Sequence, residues 1–268
     1  MSKPKTSSLF QTIEQLQGER PWGRVLDAGT GRQSINWVAG LDSEEWTAIT
    51  ASPKMAERVK TEAAERLRPR DRVLVGNWIN DSLLFGERFD TVLLDYFIGA
   101  IEGFSPYWQE RMLERLSPLV AGRLYITGVE PYVPFPAPTE AGKLVRAIGS
   151  LRDACLLLAG ERPYREFPMD WVLRQLGQAG FRLVEARHFP IIYREKFING
   201  QLDMCLDRAQ RFASPALAEA LVAQVEQLRE QALTLAGKED GLRHGADYLI
   251  AAEPMSPPEA QRALAPQE

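Results

Sequence analysis

The sequence predicts an α/β protein, a Rossmann-like, mostly parallel seven-stranded sheet with helices on both faces and helical cap insertions. Three observations carry this. Short apolar runs alternate with amphipathic helical stretches from residue 24 to residue 127, which implies right-handed crossovers and parallel pairing. Phe89 to Leu94 is apolar almost throughout, as a strand covered on both faces requires. Arg24 to Asp27 is an apolar run that ends in an acid, and Gly29 and Gly31 follow it, so a buried strand enters a glycine turn.

The elements follow in order. Phe10 to Leu16 reads as a short amphipathic helix. After the first strand, Trp46 to Thr50 is the second. Ser52-Pro53 starts a helix, with serine as N-cap and proline in the first turn. Met55, Val59, Ala63 and Leu67 give that helix one apolar face. Arg72 to Val75 is the third strand and Phe89 to Leu94 the fourth. Glu110 to Leu119 is helical, and Arg123 to Thr127 is the fifth strand. Pro131, Pro134, Pro136 and Pro138 then make a loop. Leu144 to Leu158 and Asp170 to Gln178 are helices, the latter stopped by Gly180. Phe181 to Phe189 is a strand. Ser214-Pro215 repeats the capping signal ahead of a stripe of Leu217, Leu221, Val225, Leu228, Ala232 and Leu235. Asp247 to Ala252 is the final strand. The expected organisation is an N-terminal helical arm over 1–20, one domain over 21–253 with cap insertions at about 130–165 and 190–243, and a disordered tail over 254–268.

Composition narrows the function. At 268 residues and 45% hydrophobic content the chain can bury one sizeable core. A net charge of −4, with acids among the arginines, disfavours tight nucleic-acid binding. The only cysteines, Cys155 and Cys205, make no metal or disulfide pattern, and a reducing cytoplasm fits. No apolar run approaches a membrane span, and the N-terminus has no secretory pattern.

The strongest chemical signal is Val25-Leu26-Asp27-Ala28-Gly29-Thr30-Gly31. Glycines after a first strand let backbone approach a ligand closely. Dinucleotide-binding proteins share such a turn, but Asp27 would repel a pyrophosphate, and Ser34 stands where their third glycine belongs. An acid there suits a ligand that carries an ammonium group. On these residues, and on Phe89-Asp90-Thr91-Val92-Leu93-Leu94-Asp95-Tyr96, the chain resembles the class I S-adenosylmethionine-dependent methyltransferase superfamily over Arg24 to Thr127, Phe181 to Phe189 and Gly245 to Ala252. No subfamily is recognised.

The resemblance implies a cofactor, S-adenosyl-L-methionine, and a set of residues for it. Asp27, Gly29, Thr30 and Gly31 fall on the first motif. Thr50 stands where the family has a ribose-binding acid, with Ala51 beside it. Asn77 can accept from the adenine amino group, and Trp78 can stack on the ring. Asp95 and Tyr96 lie at the carboxyl end of the central strand, the ligand crevice of open parallel sheets. The family core ends in a reversed strand hairpin, here interrupted by about fifty residues, far more than a hairpin loop needs. The inserted segments are expected to cap the site, and the region Phe197 to Leu235 to serve the acceptor. Tyr132, Tyr164, Tyr193 and Arg194 are the substrate-binding candidates. Tyr96, Glu130 and His188 are the catalytic ones, although a histidine placed like His188 is more often a hydrogen-bonded structural residue, and His244 reads as a loop residue. No metal site is expected.

The implied activity is methyl transfer to an oxygen or nitrogen of a small-molecule acceptor, by a monomer or homodimer, without nucleic acid or membrane. Alternatives are a protein or peptide methyltransferase, aminopropyl transfer on the same fold, and a non-catalytic S-adenosylmethionine-binding module.

Overall fold

The structure is a computed structural model, and it describes residues 7–255. The tail expected beyond Glu253 lies outside the described residues from 256 onward. The described residues form two compact units, one from 7–128, Phe167–Arg187 and 248–255, the other from Val129–Glu166 and His188–Asp247.

The strands are β1 (Arg24–Asp27), β2 (Glu45–Thr50), β3 (Arg72–Val75), β4 (Phe89–Asp95), β5 (Val120–Val129), β6 (Phe181–Tyr193) and β7 (Leu242–Pro254). They form one seven-stranded sheet in the order β3-β2-β1-β4-β5-β7-β6. β1 pairs in parallel with β2 and β4, β2 with β3, and β4 with β5. The order reverses between β1 and β4, and that reversal opens a crevice at the strand carboxyl ends. The last two strands in sequence are neighbours despite the long segment between them.

In the first unit, α1 (Ser8–Gln17) is capped by Ser7, whose hydroxyl accepts from Phe10 N. Phe10 stacks on Trp37 of α2 (Arg32–Val38) at 4.6 Å between ring centroids. α3 (Pro53–Ala63) starts on the expected cap, with Ser52 Oγ accepting from Met55 N at 3.2 Å. It ends at Ala63, so Leu67 is not on its face and is 46% exposed. α4 (Phe97–Phe104), α5 (Gln109–Leu116) and α7 (Met169–Gln178) complete this unit. Leu26, Val92, Leu94, Ile126, Phe97, Ile101, Met112, Val172 and Tyr248 belong to one continuous core.

In the second unit, α6 (Glu140–Leu158), α8 (Glu195–Ala209) and α9 (Pro215–Glu239) pack on one another. Their shared interior holds Val145, Ile148, Cys155, Ile198, Leu202, Cys205, Leu221, Val225, Leu228 and Ala232. The α9 stripe begins one turn later than expected, because Leu217 is 42% exposed while Leu221 is buried. No described helix is long and apolar enough to cross a membrane.

Candidate active site

The glycine turn after β1 is held from several sides by its peptide groups. Ala28 N donates to Leu93 O of β4 and Thr30 N to Ile49 O of β2. Trp78 Nε1 donates to Ala28 O at 2.7 Å. Ser34 Oγ accepts from Gly31 N at 3.0 Å and donates to Gly31 O at 3.2 Å, which closes the turn onto α2. The two glycines are there for different reasons. A Cβ at Gly29 would lie 2.6 Å from Phe97 Cδ2, so α4 packs where a side chain would be. A Cβ at Gly31 would meet nothing within 4 Å, so no protein atom demands glycine there.

Asp27 ends β1 with 0% exposure, and neither carboxylate oxygen has a hydrogen-bond partner. Thr30 Oγ1 beside it is likewise buried without a partner. Burial pushes the Asp27 carboxyl up to about 7. The Ser34 and Thr30 hydroxyls and the Gly29 amide lie near enough to oppose the rise without completing a well-formed hydrogen bond to either oxygen, and the charge of Asp95 adds to it. An ionised carboxylate buried without partners is costly, and the cost is relieved by protonation or by a cation. This donor set fits the ammonium end of an S-adenosylmethionine-type ligand.

Asp95 and Tyr96 close the same crevice through Thr127, at the end of β5. Thr127 Oγ1 donates to Asp95 Oδ1 at 2.7 Å and accepts from Tyr96 N at 3.1 Å. Tyr96 has a left-handed backbone, with φ 47° and ψ 25°. A non-glycine residue there costs of order 1 kcal/mol and marks a site worth functional attention. Thr50 is buried at the end of β2, its hydroxyl accepting from Ser52 N at 3.2 Å, and Ala51 follows half-buried.

Two sequence expectations are corrected here. Asn77 Oδ1 already accepts from Ile79 N and Ser105 Oγ, and its Nδ2 donates to Phe104 O, so the amide pins its own loop and has no lone pair left for an adenine. Trp78 is 5% exposed within the core, and the Arg115 guanidinium lies 5.5 Å from its ring centroid, so it supports the glycine turn and offers no stacking face.

In the second unit the structure brings Glu130 and His188 together, with His188 Nε2 2.8 Å from Glu130 Oε1. Glu130 N donates to Ala246 O, which fixes the backbone under the pair. Tyr132 Oη accepts from Arg152 Nη1 at 3.1 Å, and its ring lies 6.2 Å from that of Tyr193. Burial raises both phenols, Arg152 opposing. His244 belongs to β7, not to a loop, and packs edge-on against Tyr132 at 6.4 Å. The other two substrate candidates are not in this group. Tyr164 is 54% exposed, and Arg194 forms a solvent-exposed ion pair with Asp240. A surface pair of this kind binds no buried ligand and adds little to stability.

Sequence reasoning missed Thr127 and Arg152, and it read Glu166, with Tyr164 and Arg165, as solvated surface in preference to cap lining. Thr127 had one available signal, its place at the carboxyl end of a central strand. Arg152 lies inside an apolar helix, and Glu166 sits in a polar run that reads as surface. Burial nevertheless pushes Glu166 up to about 7, Arg152 opposing and Asp247 and Asp153 reinforcing. No cluster of three metal-ligating residues occurs among the described residues.

No protein-family model matches the chain, and no curated protein matches it. Solved structures do. A candidate methyltransferase of Bacillus halodurans aligns over 93% of this chain and 100% of its own, with TM-score 0.59 and 15% identity. The [4+2]-cyclase SpnF aligns over 92% and 81%, with TM-score 0.55 and 17% identity. Coclaurine N-methyltransferase, solved with N-methylheliamine and S-adenosylhomocysteine, aligns over 91% and 71%, with TM-score 0.52 and 14% identity. The chain has the class I methyltransferase fold. At these identities the likeness is one of fold, and a cyclase among the neighbours shows that the fold hosts more than one chemistry.

Proposed function

We propose that this chain is an S-adenosylmethionine-dependent methyltransferase that acts on an oxygen or nitrogen of a small-molecule acceptor. The observation that carries the reading is Asp27, a buried carboxylate without a partner beside a glycine with open space above it. Asp27 receives the ammonium of the cofactor's amino-acid end. Gly31 leaves room for it, the Thr50 hydroxyl donates to the ribose, and Asp95 and Tyr96 border the crevice. When bound, the cofactor supplies an electrophilic methyl group on a sulfonium, so positioning and exclusion of water supply most of the catalysis.

We assign recognition of the acceptor to Glu130, Tyr132, His188 and Tyr193. In this reading the His188 imidazole takes the proton that the acceptor's O–H or N–H loses, and the Glu130 carboxylate at 2.8 Å stabilises the imidazolium that forms. The pair is partly exposed, at 45% and 28% of the side chains, so the fold gains little from it. Tyr132 and Tyr193 contribute an aromatic wall to acceptor recognition. Two unpaired, buried cysteines suit a reducing compartment such as the cytoplasm.

The test is calorimetric titration with S-adenosylhomocysteine, followed by assay of S-adenosylhomocysteine release across pools of phenols, carboxylic acids and amines. Binding with turnover on one pool, lost in His188→Asn, is the expected result. Failure to bind overturns the cofactor assignment. Binding without turnover on any pool overturns the small-molecule methyltransferase assignment.

A further inference from the structure

Away from the glycine turn, three arginines converge on one carboxylate. Glu253 of β7 is 8% exposed. Its Oε1 lies 2.6 Å from Arg20 Nη1 and 2.7 Å from Arg123 Nη2, and Arg182 Nη2 binds Oε2. Arg123 is on β5, Arg182 on β6, and β7 runs between these strands. Arg20 reaches in from the loop after α1. The site is separate from the crevice, since Thr127, which holds Asp95, is four residues further along β5, roughly 13 Å away.

One carboxylate neutralises one guanidinium. Burial pushes the Glu253 carboxyl up, but Arg20, Arg123 and Arg182 together hold it below the usual range, so it stays ionised and the cluster keeps a positive excess. The donors are also mostly unused. The Arg20 and Arg182 guanidinium groups donate to Glu253 alone, and these side chains are 58% and 52% exposed. Arg123 is 5% exposed, yet its Nε is buried without a partner. Tyr125 beside it adds a hydroxyl tied to Gln17 Oε1 at 2.8 Å and carries no negative charge, because burial raises its pKa to about 12. A staple for Glu253 alone needs one guanidinium fork. Three arginines, two of them open to solvent, match a doubly charged oxyanion that accepts several N–H bonds at once.

We propose that Arg20, Arg123 and Arg182 form a second, unassigned binding site for a phosphate group, either free phosphate or the phosphate of a small monoester. The Glu253 carboxylate organises the three guanidinium groups, and the anion binds on their solvent side. This site is independent of the methyltransferase reading.

The experiment is calorimetric titration of the full chain with inorganic phosphate and, separately, with phenyl phosphate, in chloride buffer at constant ionic strength. Saturable millimolar or tighter binding is expected for at least one of them, and whichever binds more tightly identifies the source. In Arg20→Gln/Arg182→Gln the affinity should fall at least tenfold while S-adenosylhomocysteine titration gives its unmodified result. Thermal unfolding checks that this variant folds. If it does not, Arg182→Gln alone is used, with a loss of at least threefold expected. No heat beyond the chloride control, or an affinity unchanged in the variants, overturns the proposal. Comparison with the variants also removes the general stabilisation that such anions give any protein.

Discussion

At the end of β1, both Asp27 oxygens are buried and unmatched. In the second unit, the Arg152 guanidinium is matched by side-chain acceptors on Asp153, Tyr132 and Gln201. Both regions bury charge, but they spend it differently. A satisfied network fixes one arrangement of the side chains that make it. An unsatisfied carboxylate is a standing cost, and a ligand removes it. The contrast separates a carboxylate left open to a cation from a guanidinium whose acceptors are already in place. Each expectation below breaks or sharpens that contrast.

The largest effect concerns the stability of the ligand-free chain. Asp27 is raised from 3.8 to about 7 in the folded state, so folding favours its protonated form. Its contribution to stability is intact below about pH 4, is lost as pH rises through about 7, and is constant above that. At about 1.4 kcal/mol per pKa unit, the upper bound of the penalty is roughly 4 kcal/mol. Asp27→Asn should therefore raise the ligand-free Tm at pH 8 and flatten the fall in stability between pH 4 and 8. Some slope remains, because Glu166 is shifted in the same direction. Urea unfolding against pH measures this, and an unchanged curve in Asp27→Asn removes the basis of the contrast.

Next come the glycines. Gly29→Ala meets Phe97 and should cost about 1–3 kcal/mol, read by the same unfolding. Gly31→Ala should leave stability nearly unchanged but weaken S-adenosylhomocysteine binding severalfold. If Gly31→Ala binds normally, the open space above that residue is not the ligand's. In the matched region, Tyr132→Phe leaves an Arg152 donor without its acceptor and should cost about 1 kcal/mol without changing cofactor affinity. The smallest effects lie at Thr50 and Arg194. Thr50→Asp should leave cofactor affinity intact or improve it, and a loss above tenfold would place the ribose elsewhere. Arg194→Ala should leave Tm and cofactor affinity within error, since its partner Asp240 is as exposed as it is.

The fold was legible because its signals are local. Ser52-Pro53 and Ser214-Pro215 announce helices through caps that form as expected, and the near-continuous apolar run at Phe89 marks a central strand. Element ends were less legible. β6 continues to Tyr193 and β7 begins at Leu242, because partly polar residues such as Arg187 and His244 look like strand exits until neighbouring strands pair with them. α8 was missed altogether. Ile198, Leu202, Cys205 and Ala209 do follow a helical period, but Asn199 and Gly200 interrupt it, and burial against α6 and α9 overrides their weak propensity. At the candidate site, Asp27 and the glycines could be found because a motif places them. The true uses of Asn77 and Trp78 could not, since their partners Phe104, Ser105, Ala28 and Arg115 are remote in sequence. The pairing of Glu130 with His188 spans 58 residues and has no local signature.

The claim at the centre is that Asp27 waits for a cation. With a carboxyl near 7, Asp27 is about one-tenth ionised at pH 6 and nine-tenths at pH 8, so a ligand that needs the charged form should bind about tenfold more tightly at the higher pH. The direct measurement is calorimetric titration of S-adenosylhomocysteine at both pH values into the unmodified chain and into Asp27→Ala. The account predicts tighter binding at pH 8, and in Asp27→Ala an affinity at least tenfold lower, about 1.4 kcal/mol, with no pH dependence from this site. Equal binding by the two proteins, or no binding by either, would contradict it.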